Sequence, residues 1–100
     1  MTGGLRVLLY HATDDVAGIE AAYHEASANL AGVPGLLGNE LLRSVPDPRG
    51  FVVVSSWQDM AAFQEWESGS AHKGQTAPLR PYRDTSLARP FAVYQVTANY

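Results

Sequence analysis

The apolar and polar positions alternate, cluster and break in a way that divides the chain into six ordered segments. Leu5 to Ala12 (LRVLLYHA) is rich in branched and aromatic residues and stops at the polar cluster Thr13-Asp14-Asp15, which predicts a strand over 5–12. The same cluster starts a helix: Asp14 is placed to cap the free amides of the first turn, and Asp15 sits at the positive end of the helix dipole. From there Val16, Ile19, Tyr23, Ala26 and Leu30 recur at steps of three and four, one face of a helix over 14–32, with Glu20, Glu25 and Asn29 turned outward. Gly32-Val33-Pro34-Gly35 ends it, since glycine accepts a left-handed cap and proline cannot continue the hydrogen bonding.

Two further apolar runs, 36–45 and 51–57, flank Pro46-Asp47-Pro48-Arg49-Gly50 and predict an antiparallel hairpin. Asp59 caps a second helical region over 59–79, in which Met60, Phe63 and Trp66 form the buried side and Ser68-Gly69-Ser70 an interruption. Tyr82 to Arg89 reads as a loop, and a last strand is expected over 90–99; residues 1–4 are expected to be disordered, and no linker divides the single domain of residues 1–100. Strand, helix, strand, strand, helix, strand is the split βαββαβ order of an α+β, ferredoxin-like fold with a four-stranded antiparallel sheet.

Two helices cover one face of such a sheet, so a monomer needs a polar second face. The strands do not supply one: Leu5, Val7 and Leu9 oppose Leu8 and Tyr10, Phe51 and Val53 oppose Val52 and Val54, and Phe91 and Val93 oppose Tyr94 and Val96. The expected cover is a second copy, giving a homodimer packed sheet to sheet.

Composition narrows the chemistry. One hundred residues hide only about two-thirds of the unfolded surface at best, so the core is thin. No cysteine means no disulfide, no thiolate metal site and no cysteine nucleophile. A net charge of −3 with seven scattered Lys and Arg offers no basic stripe, which argues against nucleic acid. The apolar runs are far shorter than a bilayer span of roughly twenty residues, and the first residues lack a signal-peptide pattern, so no membrane partner and a cytoplasmic location are expected.

His11, His24 and His72 share no metal-ligand spacing, and Glu20 with His24 is an i, i+4 pair of the kind that forms surface contacts, so no metal site is expected. Gly-x-Ser-x-Gly, P-loop and Gly-x-Gly-x-x-Gly motifs are all missing. What remains is an aromatic series: Trp57 closing a strand, Phe63 on the inner helix face, Trp66 one turn on, and His72 after the Ser-Gly break. Phe63 reads first as core, whereas an indole as large as that of Trp66 often lines a cavity. His72 either turns inward or faces solvent.

The split βαβ order, Pro34-Gly35 after the first helix, and the series Trp57, Asp59, Phe63, Ser68 or Gly69, His72 resemble the antibiotic biosynthesis monooxygenase family of dimeric α+β barrels, from about Leu5 to Asn99. The resemblance implies a pocket between helices and sheet, and oxidation of a polycyclic aromatic phenol of polyketide type by O2 without a bound metal or cofactor. In that reading Trp57, Phe63, Trp66 and Tyr23 supply walls, His72 or His24 the base, and Asn39, Gln95 or Arg80 the contact to the oxyanion, with Trp66 beside the histidines among the catalytic candidates. The family's quinone-forming members carry Asn four residues before the strand-three Trp, where this chain has Val53; of the Asn, Trp and His of its haem-degrading members only Trp66 is matched, the position of the haem-binding His falling at Thr76. The family also suggests three alternatives: a ring-opening oxygenase using reduced flavin from a partner reductase, a haem-degrading oxygenase, and a non-catalytic dimeric module that binds an aromatic ligand.

Overall fold

A computed structural model of the protein describes residues 3–100. The elements are strand β1 (Leu5–Ala12), helix α1 (Val16–Asn29), strands β2 (Leu36–Arg43) and β3 (Gly50–Trp57), helix α2 (Met60–Ser68), the short helix α3 (His72–Thr76) running into a 3-10 turn over Ala77–Tyr82, and strand β4 (Phe91–Gln95). The four strands form one sheet in the order β2-β3-β1-β4, every neighbour antiparallel, which is the ferredoxin-like arrangement. Among the described residues no helix is long and apolar enough to cross a membrane.

Several boundaries differ from the expected ones for local reasons. Helix α1 is capped by Asp15, whose Oδ1 accepts from the Gly18 amide at 2.9 Å, while Asp14 turns outward to an ion pair with Arg49 at 2.8 Å. That pair is exposed and worth no more than about 1 kcal/mol. Within the expected helical span 59–79, Ala77–Tyr82 tightens to 3-10 around Pro78 and Pro81. Strand β4 stops at Gln95, short of the expected 99, because the described part of β1 begins at Leu5, the partner of Gln95, and offers no strand beyond it. Val96 continues only as a single bond from its amide to the Gly4 carbonyl at 2.7 Å. That bond orders Gly4, one of the residues expected to be disordered; Met1 and Thr2 lie outside the described residues. Met60, expected inside, is 41% exposed at the first position of α2.

The inner face of the sheet carries two apolar clusters. Ile19, Ala22 and Ala26 of α1 pack with Phe51, Val53 and Leu79, and Leu5, Val7 and Trp57 pack with Phe63 of α2. Each large side chain so buried contributes about 1.5–3 kcal/mol. The outer face bears Leu8, Tyr10, Val52 and Val54, partly exposed, with Leu42 at 43% and Tyr94 at 59% exposed. No element of the described chain covers it.

The turn between α1 and β2 fixes how α2 approaches. Gly35 has φ +81°, and a Cβ there would lie 2.3 Å from the Cβ of Ala62 in α2; its carbonyl accepts from Gln58 N at 2.7 Å. Gly32 has a similar φ of +85° with open space around it. Gly32→Ala is therefore expected to cost about 1–2 kcal/mol from backbone conformation alone, and Gly35→Ala about 2–4 kcal/mol because overpacking against α2 adds to it. Urea unfolding of both variants measures the difference, and equal costs would show that the contact with Ala62 relaxes freely.

Candidate active site

Between the helices and the sheet lies a cavity of about 220 Å³, lined by members of both apolar clusters, among them Val7, Val53, Trp57, Phe63 and Leu79. Its aromatic wall is a packed series. Trp57 is 1% exposed and meets Phe63 edge-on at 5.5 Å between ring centroids and Trp66 at 5.3 Å. The Trp57 indole N–H donates to Ser55 Oγ at 3.0 Å, and that of Trp66 donates to Gln75 Oε1 at 2.7 Å. Gln75 in turn bonds Asn29 at the end of α1 through its Nε2, 3.2 Å from the Asn29 carbonyl, so one side chain ties α1, α2 and α3 together.

His72, the first residue of α3, meets Trp66 edge-on at 5.5 Å and lines the cavity. Its Nδ1 is 2.7 Å from the Gly69 carbonyl. A carbonyl only accepts, so Nδ1 carries the proton and Nε2 of the neutral ring keeps a free lone pair. Thr76 Oγ1 holds the His72 carbonyl at 2.9 Å.

Asn39 reaches the cavity because of an irregularity in β2. Leu36 pairs with Trp57, but Gly38 rather than Leu37 pairs with Ser56, so Leu37 bulges out at 68% exposure and Asn39, opposite Ser55, faces inward. Its side-chain oxygen accepts from the Tyr23 hydroxyl and, at 3.2 Å, from Ser27 Oγ. With the oxygen occupied twice, the amide N–H groups are the end left for a ligand.

The cavity thus brings together His72, Trp66, Trp57, Phe63, Tyr23, Asn39 and Arg80 of the residues expected to act. It does not include His24 or Gln95. His24 follows Tyr23 by one residue, so the helix turns it by about 100° out to solvent, where its ring packs on Tyr23 at 5.4 Å. Gln95 ends the edge strand and is exposed. Arg80 lines the exposed side with Arg83, its guanidinium donating to the Lys73 carbonyl at 2.9 Å. Among the described residues no group of three or more His, Asp or Glu is placed to hold a metal ion.

One cavity residue was not singled out by sequence reasoning. His11 is 5% exposed and its Nδ1 has no hydrogen-bond partner. The signal existed in the alternation, since His11 continues the inward series Leu5, Val7, Leu9. Burial holds its imidazole below the ordinary 6.5; a bond to the Leu9 backbone opposes this and the Arg83 guanidinium adds to it.

Comparison with known proteins adds to this geometry. A family model described as antibiotic biosynthesis monooxygenase matches residues 5–75. Protein SchA of Streptomyces halstedii is 29% identical over 77 residues, 77% of this chain and 20% of that protein. A mycobilin-producing heme oxygenase of Mycobacterium tuberculosis is 40% identical over 57 residues, 54% of this chain and 53% of the other. The chain therefore spans about a fifth of one relative's length and about half of the other's. The crystal structure of SnoaB, a cofactor-independent oxygenase from Streptomyces nogalater, superposes with a TM-score of 0.73 at 19% identity, covering 100% of this chain and 96% of that one.

The buried histidine makes stability depend on pH. On acidification the unfolded chain takes up the proton first, because its imidazole has the higher pKa, so stability falls below the ordinary value of 6.5 until the folded form also protonates. Urea unfolding between about pH 7 and pH 5.5 is expected to show wild type losing more stability than His11→Gln; parallel losses would show that His11 titrates alike in both states.

Proposed function

The chain belongs to the antibiotic biosynthesis monooxygenase family, and from that premise we propose that it oxidises a hydroxylated polycyclic aromatic, of the polyketide type, with O2 and without a bound metal or cofactor. The observation that carries this reading is the pair of oriented polar groups in an aromatic cavity: a histidine with a free Nε2 on one wall and an amide with free N–H groups on another.

In the proposed reaction Nε2 of His72 takes the phenolic proton, and the Asn39 amide with Arg80 holds the resulting oxyanion. An electron-rich phenolate gives an electron to O2, and the radical pair combines at the ring carbon para to the oxygen. The proton returns to the peroxide, the O–O bond breaks, and water leaves with the ring hydrogen. One oxygen atom becomes the new quinone carbonyl and the other becomes water. The substrate's four electrons balance the reduction of O2, so no outside reductant enters. The indoles of Trp57 and Trp66 bind the ring system and exclude water from the radical pair. The cavity is smaller than the about 300–1,000 Å³ of most ligand sites, so a polycyclic substrate extends toward the exposed Arg80 and Arg83.

Haem, suggested by the mycobacterial relatives, does not fit this cavity. The position that carries the haem-binding histidine in haem-degrading members is Thr76, whose hydroxyl donates to the His72 carbonyl.

Oxygen uptake with a hydroxylated anthrone tests the reading. His72→Ala is expected to lower turnover about 100-fold or more, while changing unfolding free energy by less than about 1 kcal/mol, as for a partly exposed ring. Unchanged turnover would remove His72 from the mechanism, and quenching of tryptophan fluorescence without any oxygen uptake by the wild type would leave a binding module.

The apolar outer face supports a homodimer packed sheet to sheet. Light scattering is expected to give twice the 10.8 kDa chain mass, and Val54→Asp, which puts a charge at the middle of that face, is expected to give the single-chain mass. A monomeric wild type at micromolar concentration would end the proposal.

A further inference from the structure

The outer face of the sheet is largely apolar and carries charge at two points. Strand alternation puts Leu8, Tyr10, Val52 and Val54 there, and with them one cation, Arg6, and one anion, Glu40. The remaining charged residue of the four strands, Arg43, is on the opposite face, over the Phe51 ring at 5.5 Å.

Within one chain the two charges are kept apart. Glu40 is opposite Val54 and Arg6 opposite Ser56, so β3 runs between them and they stand two strands and two residues, about 12 Å, apart. Neither has an ion-pair partner among the described residues, where the single such pair is Arg49 with Asp14. Arg6 folds back instead, its Nη1 donating to the Leu5 carbonyl at 3.1 Å. It belongs to β1, an inner strand of the order β2-β3-β1-β4, and is already partly buried, so a layer laid over the sheet covers it. A guanidinium covered without an anion is costly, and the covering layer must bring one.

We infer that in the sheet-to-sheet homodimer Arg6 pairs with the partner's Glu40, and Glu40 with the partner's Arg6. This rests on the proposed dimer and assigns how its two faces are aligned. A two-fold axis lying between face-to-face sheets sets each point over its mirror position, so two residues meet each other's copies when the axis runs midway between them. The midpoint of Arg6 and Glu40 falls on β3 between Val54 and Ser56, so the axis that matches the charges also sets the apolar centre of one sheet on that of the other. Sheets so packed lie about 10 Å apart, a gap that an arginine and a glutamate span together. An axis over either residue stacks it on its own copy, like charge on like. The charges thereby fix an alignment that apolar contact, being non-directional, leaves open.

Analytical ultracentrifugation of the whole chain measures the dimer dissociation constant. Arg6→Glu and Glu40→Arg are each expected to raise it about 100-fold or more, because each sets like charges together at two symmetric places. The double variant restores opposite charges and is expected to return to within about tenfold of wild type. Single variants that dimerise as tightly as wild type overturn the inference, and with Val54→Asp monomeric they leave the sheet-to-sheet dimer standing. Losses that add in the double variant also overturn it, since they show charges that are covered and not paired. A monomeric wild type removes the inference and the dimer together. Should a reversed variant not fold, Arg6→Gln, Glu40→Gln and their combination decide. The combined loss is expected to fall about tenfold short of the product of the single losses, and a loss equal to that product overturns the inference.

Discussion

The Trp66 indole is constrained at both ends, and the arrangement of the site follows from that. Its ring packs against Trp57 and Phe63, which seats α2 on the strand β3; its N–H is bonded to Gln75, which draws α3 under α2 and, through Asn29, onto the end of α1. Because α3 begins at His72, the same bond that satisfies a partly buried indole also places the imidazole edge-on to it. A hydrogen bond of this kind contributes only about 0.5–1.5 kcal/mol, yet three helices are positioned by it. The base and the aromatic wall of the proposed site are therefore not independent features.

The cavity exists because the helix above it is made of small residues. Ala22 and Ala26 are the buried residues of α1 beyond Ile19, and Ser27 completes that face. Alanine fills little of the space over the sheet, and interiors otherwise pack at crystal-like density, so the volume left under α1 is a property of its sequence. Larger side chains there would add burial to a thin core and close the site. The two apolar clusters flank this gap, which lets each remain packed while the space between them accepts a ligand.

The fold was legible because its signals are local and mutually consistent: alternation in β1 and β3, the three-four spacing of α1, the Pro-Gly turn of the hairpin and the Asp59 cap each act over a few residues. The site was legible in part. Trp57, Phe63 and Trp66 are recognisable because a run of large rings after a strand has few places to go. Asn39 reaches the cavity through the bulge at Leu37, which shifts the β2 register by one residue; strict alternation from Leu36 would have placed Asn39 outside. His24 lies off the cavity by one helical step, since neighbours in a helix point about 100° apart. The cap expected of Asp14 falls to Asp15, while Asp14 engages Arg49, brought near by the hairpin turn.

The cavity is lined by two histidines whose surroundings differ. His72 is partly exposed, with its Nδ1 proton committed to Gly69, so the lone pair of Nε2 is what the neutral ring offers to the proposed proton transfer. His11 is buried, its charged form is disfavoured by that burial, and its Nδ1 has no hydrogen-bond partner. Exposure and partner, rather than residue identity, set what each imidazole can do.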